Sequence, residues 1–276
     1  MTATADPPMP SAEDYEGEEM TLWEHLEELR SRLFKAALAL MLTFIVGFLL
    51  NEFVFDILIK PYCSLDPSLR VSSAIFDDES CRLVFSDVLG AFKVRLKAAS
   101  VIAITFGGPV VFYQLWAFIV PGLKAQEKKY AAPFFFLSQF LFLLGAAFSY
   151  FVIPKGLEFL LSFGGSNLIS LMDADRYISF LIRTMIGFGV SFEYPLLVAI
   201  LVLMGVVSHA WLKEYRRHAF FGAFVAAAVI TPSQDPATMI VMALPLALFY
   251  EICIVFAKFV ERGRGADVDP EVDAAT

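Results

Sequence analysis

The sequence predicts an all-α, polytopic integral membrane protein with six transmembrane helices, the last two short and both termini cytoplasmic. Three observations carry this. Of 276 residues, 58% are apolar and only 18% charged. Uncharged, mostly apolar runs long enough to cross a bilayer recur along the chain, the mark of a helical membrane protein rather than a soluble domain. These runs do not alternate polar and apolar residues, as the strands of an outer-membrane barrel do.

The first span covers roughly 33–50, and a long polar segment, about 51–91, follows it. The second, about 98–120, contains Gly107, Gly108 and Pro109. That triplet predicts a kink, because proline removes a helix hydrogen bond. The third and fourth spans cover about 132–154 and 177–206. The fifth runs only from about 219 to 231 and stops at the turn signal TPSQDP. Its thirteen residues reach roughly 20 Å at ~1.5 Å each, against a hydrocarbon thickness of ~30 Å. With the sixth span, about 237–257, it makes a short hairpin. The bilayer must thin there, or a partner must cover the mismatch.

The formal charge of −8 sits in the tails. Residues 1–20 and 263–276 are rich in Pro, Ala and acids, and are expected to be disordered. They flank a membrane domain at 21–262. Ten carboxylates lie in the tails, and without them the charge becomes +2. The N-terminus lacks the basic and apolar regions of a cleavable signal. Orientation follows from Lys and Arg. With the N-terminus inside, twelve face the cytoplasm and nine face outward, the inner ones clustered in short loops. The outward KVRLK at 93–97 runs against this bias. No internal repeat supports an inverted-repeat transporter. No metal-ligand cluster or phosphate loop is present, and no cofactor is expected.

Several segments, in order, resemble the TatC family, the signal-receptor subunit of the twin-arginine protein translocase. They are HLEELRSRL (25–33), GPVVFYQLWAFIVPGLKAQEKK (108–129), FGVSFEYP (188–195), ITPSQDP (230–236) and ALPLALFYE (243–251). The resemblance implies a non-enzymatic protein of the bacterial inner membrane. It implies binding of twin-arginine signal peptides on folded cargo at the cytoplasmic face. It further implies assembly, in a multimeric complex, with single-span TatA- and TatB-type partners for export driven by the proton gradient.

The resemblance assigns Glu28 and Glu127 to signal-peptide recognition, with less weight on Arg30 and Phe118. The chemistry suits that role, because a carboxylate accepts a guanidinium fork in a geometry lysine cannot copy. The bland alternative is local pairing. Glu28 and Arg32 stand at i,i+4 and Glu27 and Arg30 at i,i+3 on one helix, worth a few tenths of a kcal/mol. Phe118, like Trp116, also suits an interfacial anchor. Glu193 lies near the middle of the fourth span, where a carboxylate costs ~2.5 kcal/mol or more and marks function by default. A hydrogen bond that fixes helix packing is its plainer role. In the last hairpin the resemblance points to Thr231, Asp235 and Met239 as partner contacts. Many members carry Gln where this chain has Met239, which suits a less polar partner. Asp235 before Pro236 is also ordinary turn chemistry. Pro61 falls on a family position in the outer segment, and a simple turn explains it equally.

Cys63 and Cys81 both lie in the outer segment, where an oxidising compartment permits a disulfide. Two unrelated thiols are the alternative. Cys253 sits in an apolar run as a small hydrophobe. Two other function classes remain open: a proton-coupled small-solute transporter using Glu193, and a structural membrane scaffold. The first lacks further ionisable groups in its spans. The second has no need of cytoplasmic carboxylates matched to an arginine pair.

Overall fold

The structure, a computed structural model, describes residues 22–69, 81–122, 131–162, 171–230 and 236–266. Nine α-helices run through them: α1 Leu22–Leu49, α2 Asn51–Cys63, α3 Gly90–Ile119, α4 Ala131–Ser162, α5 Ala174–Phe192, α6 Tyr194–Leu203, α7 His209–Glu214, α8 Arg216–Ile230 and α9 Pro236–Ala266. Five stretches are long and apolar enough to cross a membrane: Trp23–Leu49, Gly90–Ile119, Ala131–Ser162, Ala174–Leu203 and Thr238–Gly263. Many of their large apolar side chains are exposed. In a membrane that surface meets lipid tails, and only the surface turned away from lipid needs packing within the chain.

The fifth apolar segment is α8. Its 15 residues reach about 22 Å, less than a bilayer core. Its partner differs from expectation, because α9 is 31 residues long and not short. The apolar run continues through Phe259 and Val260, and the helix extends past Lys258, Glu261 and Arg262. Long charged side chains at a helix end reach water without breaking the backbone ladder.

Helix α2 lies within the segment expected to be a polar loop. Its pattern explains it. Val54, Leu58 and Tyr62 recur at i, i+4 and i+8 and are buried, while Glu52, Asp56 and Lys60 repeat at the same spacing on an exposed face. This is a short amphipathic helix. Pro61 is inside it and buried, so it is not a simple turn.

Small residues set the helix contacts. A Cβ at Gly47 would stand 2.6 Å from the Ala99 carbonyl, and one at Gly107 would stand 2.8 Å from Thr43 Oγ1. Thus α1 and α3 approach backbone to backbone, as small residues allow in membranes. The Gly107-Gly108-Pro109 triplet does not end α3. Between α4 and α5, a Cβ at Gly145 would stand 2.6 Å from the Phe188 carbonyl.

The fourth span is the centre of the bundle. Half of its apolar window is buried (50%), against 11% for α1. It breaks at Glu193, between α5 and α6. Pro195 stands two residues further on, in the first turn of α6, and has no N–H to continue the ladder. Toward its end, α7 is tied to α9: Tyr250 donates to the Leu212 carbonyl (2.7 Å), and the His209 N–H donates to Glu261 Oε1 (2.7 Å).

Candidate functional site

The start of α1 and the end of α3 share one end of the bundle, here the N-terminal end. His25 stacks on Phe118 there, with ring centroids 4.5 Å apart at 25°. One turn on, Glu28 is half-buried. Arg32 donates from Nε to Glu28 Oε1 (2.9 Å), and its terminal Nη2 closes on the same oxygen. So the local i,i+4 pair exists. It uses one carboxylate oxygen only. The other, Oε2, is buried and finds no hydrogen-bond partner among the described residues. His25 Nδ1 stands 4.0 Å from it, beyond hydrogen-bond range. Glu24, Glu27 and Arg30 are exposed.

His25 carries no assignment from sequence, although its spacing from Glu28 is visible there. An i,i+3 pair lies on one helix face. What the sequence could not show is Phe118 arriving from another helix to hold the imidazole. Trp116 departs from the interfacial role: it is 5% exposed and packs against Phe134. Its indole fills the seam between α3, α4 and α6 with Leu196 and Ile200.

Deeper in the bundle, Ser138 of α4 donates to Glu193 Oε2 (2.8 Å). Glu193 Oε1 is buried without a partner among the described residues, and so are both amide atoms of Gln139. Ser138 and Glu193 line a cavity of about 400 Å³ whose wall also includes Gly108, Phe112 and Leu197. Apart from Ser138, Glu193 and the Trp116 indole, the lining side chains are hydrocarbon.

The opposite end carries the Cys63–Cys81 disulfide, with Cα atoms 5.6 Å apart. Both cysteines pack on a core that includes Tyr62, Leu157, Tyr177 and Ile178. Tyr177 donates to the Leu58 carbonyl (3.0 Å) and Tyr150 to the Ile57 carbonyl (2.8 Å), tying α2 to α5 and α4. Asp173 caps α5, accepting at Oδ1 from the Asp175 and Arg176 N–H groups (3.0 and 3.1 Å). At Oδ2 it accepts from the N–H and hydroxyl of Ser86 (3.0 and 2.9 Å). Partial burial pushes its pKa upward, but these bonds to the charged form outweigh it and hold the carboxyl below the usual Asp value. Lys97 pairs with Asp175 and donates to Ser179 (2.6 Å), joining α3 to α5.

Glu127, Thr231 and Asp235 lie outside the described residues. Met239 is half-buried in the first turn of α9. Its neighbour Thr238 is buried, and a Cβ at Gly156 of α4 would stand 2.7 Å from Thr238 Cγ2. Among the described residues, no three His, Cys, Asp or Glu side chains gather as a metal site.

Five apolar spans, the central one broken at Glu193, with polar groups held at membrane depth, define a multi-pass helical membrane protein. A profile of the family described as Sec-independent protein translocase protein (TatC) matches residues 24–245. The Sec-independent protein translocase protein TatC of Frankia casuarinae is 42% identical over 260 residues, covering 94% of this chain and 71% of that protein. The corresponding protein of Corynebacterium kroppenstedtii is 35% identical, covering 88% of this chain and 62% of that protein, so the chain spans less than two thirds of that relative. The crystal structure of a twin arginine translocase receptor, TatC, in DDM has a TM-score of 0.71 at 33% identity, covering 85% of this chain and 99% of that one. The chain belongs to the TatC family of protein translocase components.

Proposed function

We propose that this chain is the receptor core of a twin-arginine translocase in a bacterial cytoplasmic membrane, with its N-terminal end facing the cytoplasm. It binds signal peptides bearing adjacent arginines and assembles with single-span TatA- and TatB-type partners for export of folded cargo. The observation that carries this is the Glu28 carboxylate. Arg32 holds one oxygen and leaves the other unmet among the described residues. A guanidinium brings the charge and the donor that Oε2 lacks, and a charge-assisted bond is roughly twice as strong as a neutral one. Glu127 takes the second arginine. Arg32 fixes the Glu28 rotamer, and the His25–Phe118 stack walls its side. Arg30 lies on the exposed rim beside Glu28. Thr231, Asp235 and Met239 contact the partner helices at the last hairpin. Pro61 and the disulfide keep the opposite end rigid.

The test is export of a folded reporter carrying an Arg-Arg or a Lys-Lys signal, in cells where this chain is the sole family member. Arg-Arg export depends on the chain and Lys-Lys export is lost. Crosslinking of an Arg-Arg peptide falls at least ~10-fold for Glu28→Ala with Glu127→Ala, the scale of one lost charged hydrogen bond. Unchanged crosslinking in that double variant refutes the assignment.

A further inference from the structure

The KVRLK run at 93–97 lies at the disulfide end, against the charge bias of the loops, and its three cations meet different fates. Lys93 pairs with Asp87 and Lys97 with Asp175. Arg95 is exposed and has no hydrogen bond or ion pair among the described residues. It lines a cavity of about 380 Å³, and α2 supplies Glu52 and Asp56 to the same cavity. Those two stand one helical turn apart, so their carboxylates share a face. They too are exposed and without a partner among the described residues, and neither reaches Arg95. Phe55, Leu83 and Phe85 are among the apolar lining. The first span ends at Leu49, the second begins at Gly90 and the fourth at Ala174. Residues beside each of those ends line the cavity, which places it where membrane meets water. Phe53, Leu89 and Phe92, close by in the chain, are exposed apolar side chains.

We propose that this cavity binds the headgroup of a zwitterionic phospholipid with a primary amine, phosphatidylethanolamine, from the leaflet at the disulfide end. The lining decides the occupant. Arg95 presents a fork that fits a phosphate. A primary ammonium carries three donors, enough to serve Glu52 and Asp56 together. A phosphatidylcholine headgroup keeps both charges but has no N–H to give. A phosphatidylglycerol headgroup meets Arg95 and brings its negative charge up to two carboxylates. A bare divalent cation meets the carboxylates and is repelled by Arg95. Phe55 and Phe85 give the glycerol end of the lipid an apolar wall, and its acyl chains continue into the bilayer. The bound headgroup bridges α2 to α3 through charges that the protein itself leaves apart. This cavity lies at the far end of the bundle from Glu28 and owes nothing to arginine recognition there.

The test is native mass spectrometry of the full chain in detergent micelles containing equal amounts of dioleoyl phosphatidylethanolamine and dioleoyl phosphatidylcholine. These lipids share chains and phosphate and differ only in the methyl groups on the amine. The chain should retain the ethanolamine lipid about 10-fold more, the scale of one charged hydrogen bond. Glu52→Gln with Asp56→Asn should bring the ratio near one. Arg95→Gln should lower retention of both lipids and leave the ratio unchanged. All three side chains are exposed, and melting temperature with the Cys63–Cys81 bridge reports folding of each variant. Equal retention of the two lipids by the parent chain overturns the proposal, as does a preference for dioleoyl phosphatidylglycerol offered in equal amount. A preference that survives in the folded double variant, or retention unmoved by Arg95→Gln, does the same. Glycerophosphoethanolamine, which lacks acyl chains, should not displace the lipid at equal concentration. Displacement would assign the cavity to a soluble solute and overturn the lipid.

Discussion

The two halves of the bundle treat polar groups in opposite ways. At the disulfide end, the polar groups that organise the cap are satisfied: Tyr177 and Tyr150 reach carbonyls of α2, Asp173 accepts four bonds, and Lys97 is paired. From mid-membrane to the N-terminal end, Glu193, Gln139 and Glu28 each keep a buried polar atom without a partner among the described residues. A saturated network holds shape, whereas an unsaturated one is primed for a ligand. The difference supports the proposed recognition role of Glu28, away from the end with the densest bonding.

The largest test of this contrast is the disulfide. Replacing both cysteines, Cys63→Ser and Cys81→Ser, opens a closure spanning 18 positions and should cost about 3 kcal/mol. Thermal unfolding in detergent, with and without reductant, checks it, and an unchanged melting temperature would break the comparison. Next comes Tyr177→Phe. It leaves the Leu58 carbonyl unmet in the core and should cost about 1–2 kcal/mol by denaturant titration.

A pH dependence of the same end is smaller. The folded pKa of Asp173 lies below its unfolded value. Its contribution is therefore full above the unfolded pKa of about 3.9 and is lost as pH falls through the lower folded value. Acid unfolding followed by near-UV circular dichroism should show this loss, and Asp173→Asn should flatten it.

At the open end, substitutions should spare stability. Glu28→Gln gives up one half-buried i,i+4 pair and should move stability by only about 0.5 kcal/mol or less, while peptide crosslinking falls. Gln139→Leu removes two unmet polar atoms and should be neutral, within about 0.5 kcal/mol, or slightly stabilising. A large loss of stability in either variant would show that these groups hold the fold, and would erase the difference between the ends.

Much of this is legible in the chain. The apolar runs locate every long span, since bilayer thickness imposes a length that composition reveals directly. The brevity of α8 is legible for the same reason. Glu28 and Glu193 stand out because charge beside or within an apolar run is conspicuous. Helix α2 is harder to see, although its four-residue spacing is there, because a thirteen-residue amphipathic helix in a polar segment has no length signature. Gln139 escapes notice because one amide in an apolar run means little until its surroundings are known.

What the sequence determined by itself was the placement of the long apolar segments, the conspicuous carboxylate of Glu193 inside the fourth of them, and the family. These follow from local chemistry: transfer cost and ordered motifs. Tertiary structure alone decided which polar atoms are met. Phe118 meets His25 across helices, Ser138 takes one Glu193 oxygen, and Gly108 bares the Gln139 amide. Hydrogen-bond satisfaction depends on partners distant in the chain, so no local pattern encodes it.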